Sequence, residues 1–251
     1  MKPINQKDGQ GIFGYYNLMD WYSKDFTDEE KEQFRIGFGN NPMGTPFDRF
    51  ISGFESGFSD SNRERSVIDV LQLFLNNFTQ NKIRPQIIEK IRTKAVSIIS
   101  NQSISVLDLH FYYLADIQYC KWQMCTNAEY KNEYVKACMN QIELAKKAKN
   151  AFINEWHSIP AHTGFFELFD YYEKNGMYDE AMSLRERCFN EWNNAVCMDF
   201  SFKRSLKILI KSGLFEKATY ILKLARQQDP NLENTWKRYE KQLKKGGSFK
   251  L

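Results

Sequence analysis

A repeat of 37 residues in the C-terminal half constrains the fold of this chain more than any other feature. Residues 165–181 and 202–218 share an aromatic and apolar stretch, then a glycine, an apolar residue, an acid and an alanine. Gly176 and Gly213 are 37 residues apart, and so are the alanines that follow them. A glycine ends a helix by adopting positive φ, and a small alanine lets the next helix cross closely. Each copy is therefore predicted to be an antiparallel helix pair, and the pairs are predicted to stack because none buries its apolar face alone.

These residues resemble the tetratricopeptide repeat, and the second copy carries the better match. The family's small and closing positions fall on Ala218, Ala225 and Pro230, and its apolar positions fall on Leu206, Leu209 and Leu222. The first copy has Leu168, Phe169 and Tyr172 at apolar positions, but Cys188 and Asn193 where the family has alanine and proline. A looser third copy opens at Leu114-Ala115, so the resemblance covers about residues 104–245.

The resemblance implies a fold and a role. The fold is a right-handed stack of antiparallel helix pairs, a TPR-like α-solenoid, in which residues 231–245 form the closing helix. The role is the binding of a protein or a peptide on the concave face, which the first helix of each pair lines. The chain departs from the family pattern in two respects: its period is 37 residues, and Ser205-Leu206 replaces the family's Leu-Gly pair.

The rest of the chain predicts helices and no sheet, since no segment alternates apolar and polar residues with period two. Residues 61–103 predict a helical hairpin whose second helix opens at Pro85, and Ser103 or Ser105 predicts the cap of a third, long helix. A fourth helix is predicted from Ala128 to Trp156. The class is all-α with three segments: 1–60, irregular and partly helical; 61–103, a hairpin; and 104–251, TPR-like repeats with a basic tail.

The first 60 residues hold more than half of the chain's 13 glycines, which is typical of irregular structure. Two short helices are still predicted there, one at residues 15–23 and one starting at the capping box Thr27-Asp28-Glu29-Glu30 and ending near Gly37. An aromatic stripe from Phe47 to Phe58 either packs against the following helices or forms an exposed docking surface, and packing is favoured.

Charge and composition exclude several classes of function. The net charge is +4, and most of it lies in residues 237–251, which hold six cations and one acid, so no folded basic face for nucleic acid is predicted. The first ten residues are polar, unlike a signal peptide, and no stretch is long and apolar enough to span a membrane. The five cysteines form no CxxC pair, which suits free thiols in a reducing compartment. A cytoplasmic, bacterial protein is predicted.

The candidate peptide-binding residues lie on the first helices of the two better copies. The second copy offers the cations Lys203, Arg204, Lys207 and Lys211, and the first copy offers Phe166, Asp170 and Glu173. The three lysines are spaced i, i+4, i+8, so they share one stripe of the helix. Such a stripe can hold an acidic peptide or a free carboxylate through charge-assisted hydrogen bonds. The alternative is a solvated charged face that binds nothing.

No catalytic residue, cofactor or metal site is predicted. The three histidines are not at a diagnostic ligand spacing, and no nucleotide-binding or hydrolase motif occurs. The leading hypothesis is a protein- or peptide-binding adaptor without catalysis. The alternatives are a bacterial peptide-sensing regulator acting on a transcription or signalling partner, and an enzyme that uses residues 1–60. The oligomeric state stays open.

Overall fold

The computed structural model describes residues 13–14, 16–38, 66–192, 195–228 and 230–247. All regular secondary structure in these residues is helical, and none of them lies in a strand, which confirms the all-α class. The helices in chain order are α1 (Met19–Asp25), α2 (Asp28–Phe38), α3 (Val67–Gln80), α4 (Pro85–Asn101), α5 (Val106–Met124), α6 (Tyr130–Glu143), α7 (Ala145–Trp156), α8 (Thr163–Lys174), α9 (Tyr178–Glu191), α10 (Ala195–Lys211), α11 (Phe215–Gln228) and α12 (Glu233–Gly247). A 3-10 turn, Pro230–Leu232, precedes α12.

Local capping chemistry starts several helices at the predicted residues. The Glu30 N–H donates to Thr27 Oγ1 at 3.2 Å and the Thr27 N–H donates to Glu30 Oε2 at 2.8 Å, which confirms the capping box before α2. Pro85 is the first residue of α4, where its missing N–H leaves no donor unsatisfied. Ser105 caps α5, because its Oγ accepts from the Asp108 N–H at 3.2 Å.

The two repeat glycines end α8 and α10 with the same geometry. Gly176 has φ of 72° and Gly213 has φ of 73°. In both turns the next residue donates its N–H to a carbonyl five residues back at 2.9 Å, so an orphan carbonyl of the helix end is satisfied. Nothing lies within 4 Å of the place where a Cβ would stand at either glycine, so backbone conformation alone requires glycine there.

Two helices differ from their predicted bounds. The helix predicted at residues 15–23 is α1, which starts later because Asn17 has φ of 57° and interrupts any helix that would include it. The helix predicted over residues 128–156 is divided into α6 and α7 at Leu144. The Leu144 N–H donates to the Gln141 carbonyl, three residues back, at 3.2 Å, so the helix tightens to a 3-10 turn there. The Phe47 to Phe58 stripe and the end of the basic tail lie outside the described residues.

The chain forms two compact units, Met1–Ala137 and Cys138–Leu251, and the boundary falls inside α6. In the first unit α3 packs against α2, α4 and α5. Aromatic rings fill the space beside α3: the Phe34 ring meets the Phe78 ring edge-on at 4.6 Å, and the rings of Phe13 and Phe74 are 5.6 Å apart. The boundaries predicted at residues 60 and 103 stay predictions.

In the second unit each helix from α8 to α12 packs against its neighbour in sequence, and α10 also contacts α12. The core around α10, α11 and α12 is formed by Phe202, Leu206, Leu209, Ala218, Ile221, Leu222, Ala225, Trp236 and Leu243. Ala218 and Ala225 are fully buried, as small residues at a close helix crossing should be.

Candidate functional site

The predicted binding residues lie on two first helices of the second unit. α8 carries Phe166, Asp170 and Glu173, all half-buried. α10 carries Lys203 and Arg204, which are half-buried, and Lys207 and Lys211, which are exposed.

Arg204 spans from α10 to α8 and joins two of the predicted acids. Its Nη1 contacts Asp170 Oδ1 and its Nε donates to Glu173 Oε2, while the guanidinium lies 5.4 Å from the centroid of the Phe169 ring. The Arg204 side chain is 20% exposed, so these ion pairs are partly shielded from water. Three of the seven predicted residues are therefore engaged with one another, and the acidic patch and the cationic stripe are one surface.

The lysine stripe extends that surface along α10. In the part of the chain that the structure describes, Lys207 and Lys211 form no ion pair. The Lys203 carbonyl accepts a hydrogen bond from the Tyr239 hydroxyl of α12 at 3.2 Å. Positive charge is therefore exposed on α10 beside the two acids, of whose charges Arg204 balances one.

Hydrogen bonds and ion pairs connect alternate helices from α8 to α12, which gives two rows of helices. Arg204 joins α8 to α10, and Tyr239 joins α10 to α12. Lys217 at the start of α11 pairs with Asp179 at the start of α9. One row is thus formed by α8, α10 and α12, and the other row by α9 and α11.

Arg185 is a further charged residue of this unit that the sequence analysis did not single out. It lies on α9, is only 6% exposed, and its guanidinium lies 4.1 Å from the centroid of the Phe202 ring. Burial lowers the pKa of the Arg185 guanidinium to about 10. The repeat could have pointed to this residue, because Arg185 stands 37 residues before Leu222. It therefore occupies a position that is apolar in the second copy.

The first unit contains a buried charged cluster centred on Arg92 of α4. Its Nε donates to Asp116 Oδ1 of α5 at 2.6 Å, and its Nη1 donates to Glu89 at 2.9 Å. The Tyr130 hydroxyl of α6 donates to Glu89 Oε1 at 2.7 Å, and Arg92 Nη2 lies 3.4 Å from Cys120 Sγ. The cluster holds α4, α5 and the start of α6 together, and only the tertiary structure brings its members into contact.

The protonation equilibria in this cluster are governed by burial. Burial raises the pKa of Asp116, although Arg92 favours the charged carboxylate. Burial also disfavours the charged form of Arg92, yet Asp116 and its neighbours outweigh it and raise the arginine pKa. The thiol pKa of Cys120 is raised well above its usual range, again by burial, so the thiol is held protonated. The arrangement suits a structural clamp and offers no activated nucleophile at Cys120.

The three histidines occupy separate structural positions. His110 is 1% exposed, and burial lowers its pKa to about 4. His162 caps α8, since its Nδ1 accepts from the Phe165 N–H at 3.4 Å, and its ring lies edge-on to Trp192 at 4.5 Å. His157 is exposed and ends α7 in the left-handed region. Within the described ranges no three His, Cys, Asp or Glu side chains are grouped as metal ligands, and no helix is both long and apolar enough to cross a membrane.

Comparisons of the chain with protein-family models, with curated proteins and with solved structures gave no match.

Proposed function

We propose that this chain is a protein- or peptide-binding adaptor, without catalysis, built on TPR-like helix pairs in a right-handed stack. The proposed binding surface is the row formed by α8, α10 and α12. Its ligand is an acidic peptide or a peptide with a free carboxylate, held by the lysine stripe of α10.

The observation that carries this proposal is the bridge from Arg204 to Asp170 and Glu173. One arginine of α10 reaches two acids of α8, so these two helices contribute to the same surface. A peptide groove across stacked helix pairs would require this arrangement. The bridge also offsets one of the two negative charges of these acids, which reduces their repulsion of an anionic ligand. Lys207 and Lys211 then present two positive charges to the solvent next to this group, and together they outweigh its remaining negative charge.

The test is a binding titration with a labelled decaglutamate peptide and the full chain. The variants Lys207→Glu and Lys211→Glu should each weaken binding about tenfold, the equivalent of one charge-assisted hydrogen bond of about 1.5 kcal/mol. The matched control is Lys223→Glu, which makes the same charge change at an exposed lysine of α11 in the other row. It should change binding by about twofold or less.

Two results would contradict the proposal. Equal weakening by Lys223→Glu would mean that net charge alone attracts the peptide. The second result is that the unchanged protein does not bind decaglutamate at about 0.1 M salt, where exposed charges still interact within about 10 Å. That result would exclude an acidic peptide as the ligand.

A further inference from the structure

Helix α12 carries an exposed face that is strongly basic. At about 3.6 residues per turn, one arc of about 120° around this helix holds its five cations and no acid. All five are exposed, and they are Lys237, Arg238, Lys241, Lys244 and Lys245. Trp236 and Leu243 lie on the opposite side of the helix and are buried in the core around α10 and α11. The positive charge that the sequence predicted for a basic tail therefore lies, in residues 237–245, on a folded helix.

The two acids of α12, Glu233 and Glu240, lie outside this arc and are held by other side chains. Arg226 of α11 places its Nη2 3.2 Å from Glu233 Oε1 and 2.7 Å from Glu240 Oε2. Glu240 also pairs with Lys244 at the margin of the arc, at 2.9 Å. Among the described residues, no acid pairs with the other four cations of the arc. Their positive charge is therefore exposed to a partner.

The side chains of the basic face define the chemistry of that partner. Trp236, Tyr239 and Leu243, the large apolar side chains of α12, all lie outside the arc. A helix that lies on a membrane inserts apolar side chains into it, and single-stranded nucleic acid stacks its bases on aromatic rings. The basic face offers neither kind of contact. It offers cations and the exposed amide of Asn234, which suit the phosphates of a duplex, where charge alone supplies most of the non-specific binding.

The shape of a helical face favours duplex DNA over duplex RNA. An α-helix with its side chains is about 10–12 Å wide, and the major groove of B-form DNA is about 12 Å wide. The major groove of A-form RNA is deep and narrow, so side chains do not reach into it. Lys237 and Arg238 stand near the two margins of the arc, and Asn234 stands between them. Each margin would therefore face one phosphate-lined wall of a groove that the helix enters.

We propose that α12 binds double-stranded DNA by lying in the major groove, with its basic face towards the phosphates of both walls. Four cations supply the phosphate contacts, and they are Lys237, Arg238, Lys241 and Lys245. Contacts to phosphate carry no base information, so binding is independent of DNA sequence. This face is separate from the lysine stripe of α10 and does not depend on the proposed function.

The experiment measures the fluorescence anisotropy of a labelled short DNA duplex of mixed sequence titrated with the full chain at several salt concentrations. Four phosphate contacts predict a loss of affinity of about 150-fold between about 50 mM and about 200 mM salt, because each contact releases condensed cations. The variant Lys237→Gln/Lys241→Gln removes two contacts, so its loss over the same range should fall to about 12-fold. Both positions are exposed and glutamine is a good helix former, so circular dichroism should show an unchanged fold.

The matched control is Lys146→Gln/Lys147→Gln, which removes two exposed lysines of α7 and makes the same change in net charge. It should keep the salt dependence of the unchanged protein. Lys207→Gln should keep it as well, because this lysine belongs to the stripe of α10. A weaker salt dependence in either of these variants overturns the assignment of the contacts to α12.

Further ligands test the class of the partner. Duplex DNA should bind more tightly than duplex RNA of the same sequence and more tightly than either single strand. Tighter binding of RNA or of a single strand overturns the placement in the major groove. Binding to phosphatidylserine vesicles that requires Lys237 and Lys241, without binding to DNA, would assign the face to a membrane surface instead. Absence of DNA binding at about 50 mM salt, where electrostatic attraction is strong, also overturns the proposal.

Discussion

Replacing His110 with leucine should remove a large part of the acid sensitivity of this protein. His110 is 1% exposed in α5, and burial lowers its pKa from the usual 6.5 to about 4. The folded-state pKa is depressed, so the stabilising contribution is present above pH 6.5 and is lost as pH falls towards 4. The unfolded chain binds a proton at this histidine over that range and the folded chain does not.

The size of the effect follows from the shift. A difference of about 2.5 pKa units, at 1.36 kcal/mol each, gives a loss of about 3 kcal/mol between pH 7 and pH 4. Urea unfolding followed by circular dichroism at pH 7, 6, 5 and 4 would measure it for the unchanged protein and for His110→Leu. Carboxylates contribute to both proteins equally, so the difference between the two curves isolates the histidine. Parallel curves for the two proteins would refute the reasoning.

Two further stability predictions test the clamp around Arg92 and the conformational and steric demands at two glycines. Arg92→Met should lower the free energy of unfolding by about 3–5 kcal/mol, since it leaves Asp116 buried without its cation, and a loss below about 1 kcal/mol in urea titration would contradict the clamp. At Gly213, asparagine should destabilise less than alanine because asparagine tolerates positive φ. At Gly164 the order should reverse, because an added Cβ already meets the Cys138 carbonyl oxygen at 2.9 Å and a larger side chain crowds it more. If asparagine and alanine ranked in the same order of stability at both glycines, the distinction between a conformational and a steric requirement for glycine would be wrong.

Some features of the predicted binding surface could be predicted from the sequence and others could not. The stripe of Lys203, Lys207 and Lys211 follows from helical period alone. That Arg204 binds Asp170 and Glu173 could not be predicted, because Arg204 and Glu173 are 31 residues apart in sequence and the pairing depends on how α8 and α10 are placed. The structure therefore shows one surface, on which Arg204 pairs with both acids and Lys207 and Lys211 are exposed beside them.

The sequence by itself determined what depends on neighbours along the chain. The Thr27 to Glu30 box, Pro85 at a helix start and the positive φ of Gly176 and Gly213 are set within a few residues, so their chemistry is visible in the sequence. The absence of period-two alternation likewise predicted an all-helical chain.

Only the tertiary structure decided which charges are buried and which are paired. The clamp around Arg92 and the burial of Arg185 against Phe202 each depend on contacts between different helices. The physical reason is that desolvation and ion pairing act through space, so one arginine pairs with carboxylates of other helices, at Arg92, and another is buried against an aromatic ring, at Arg185.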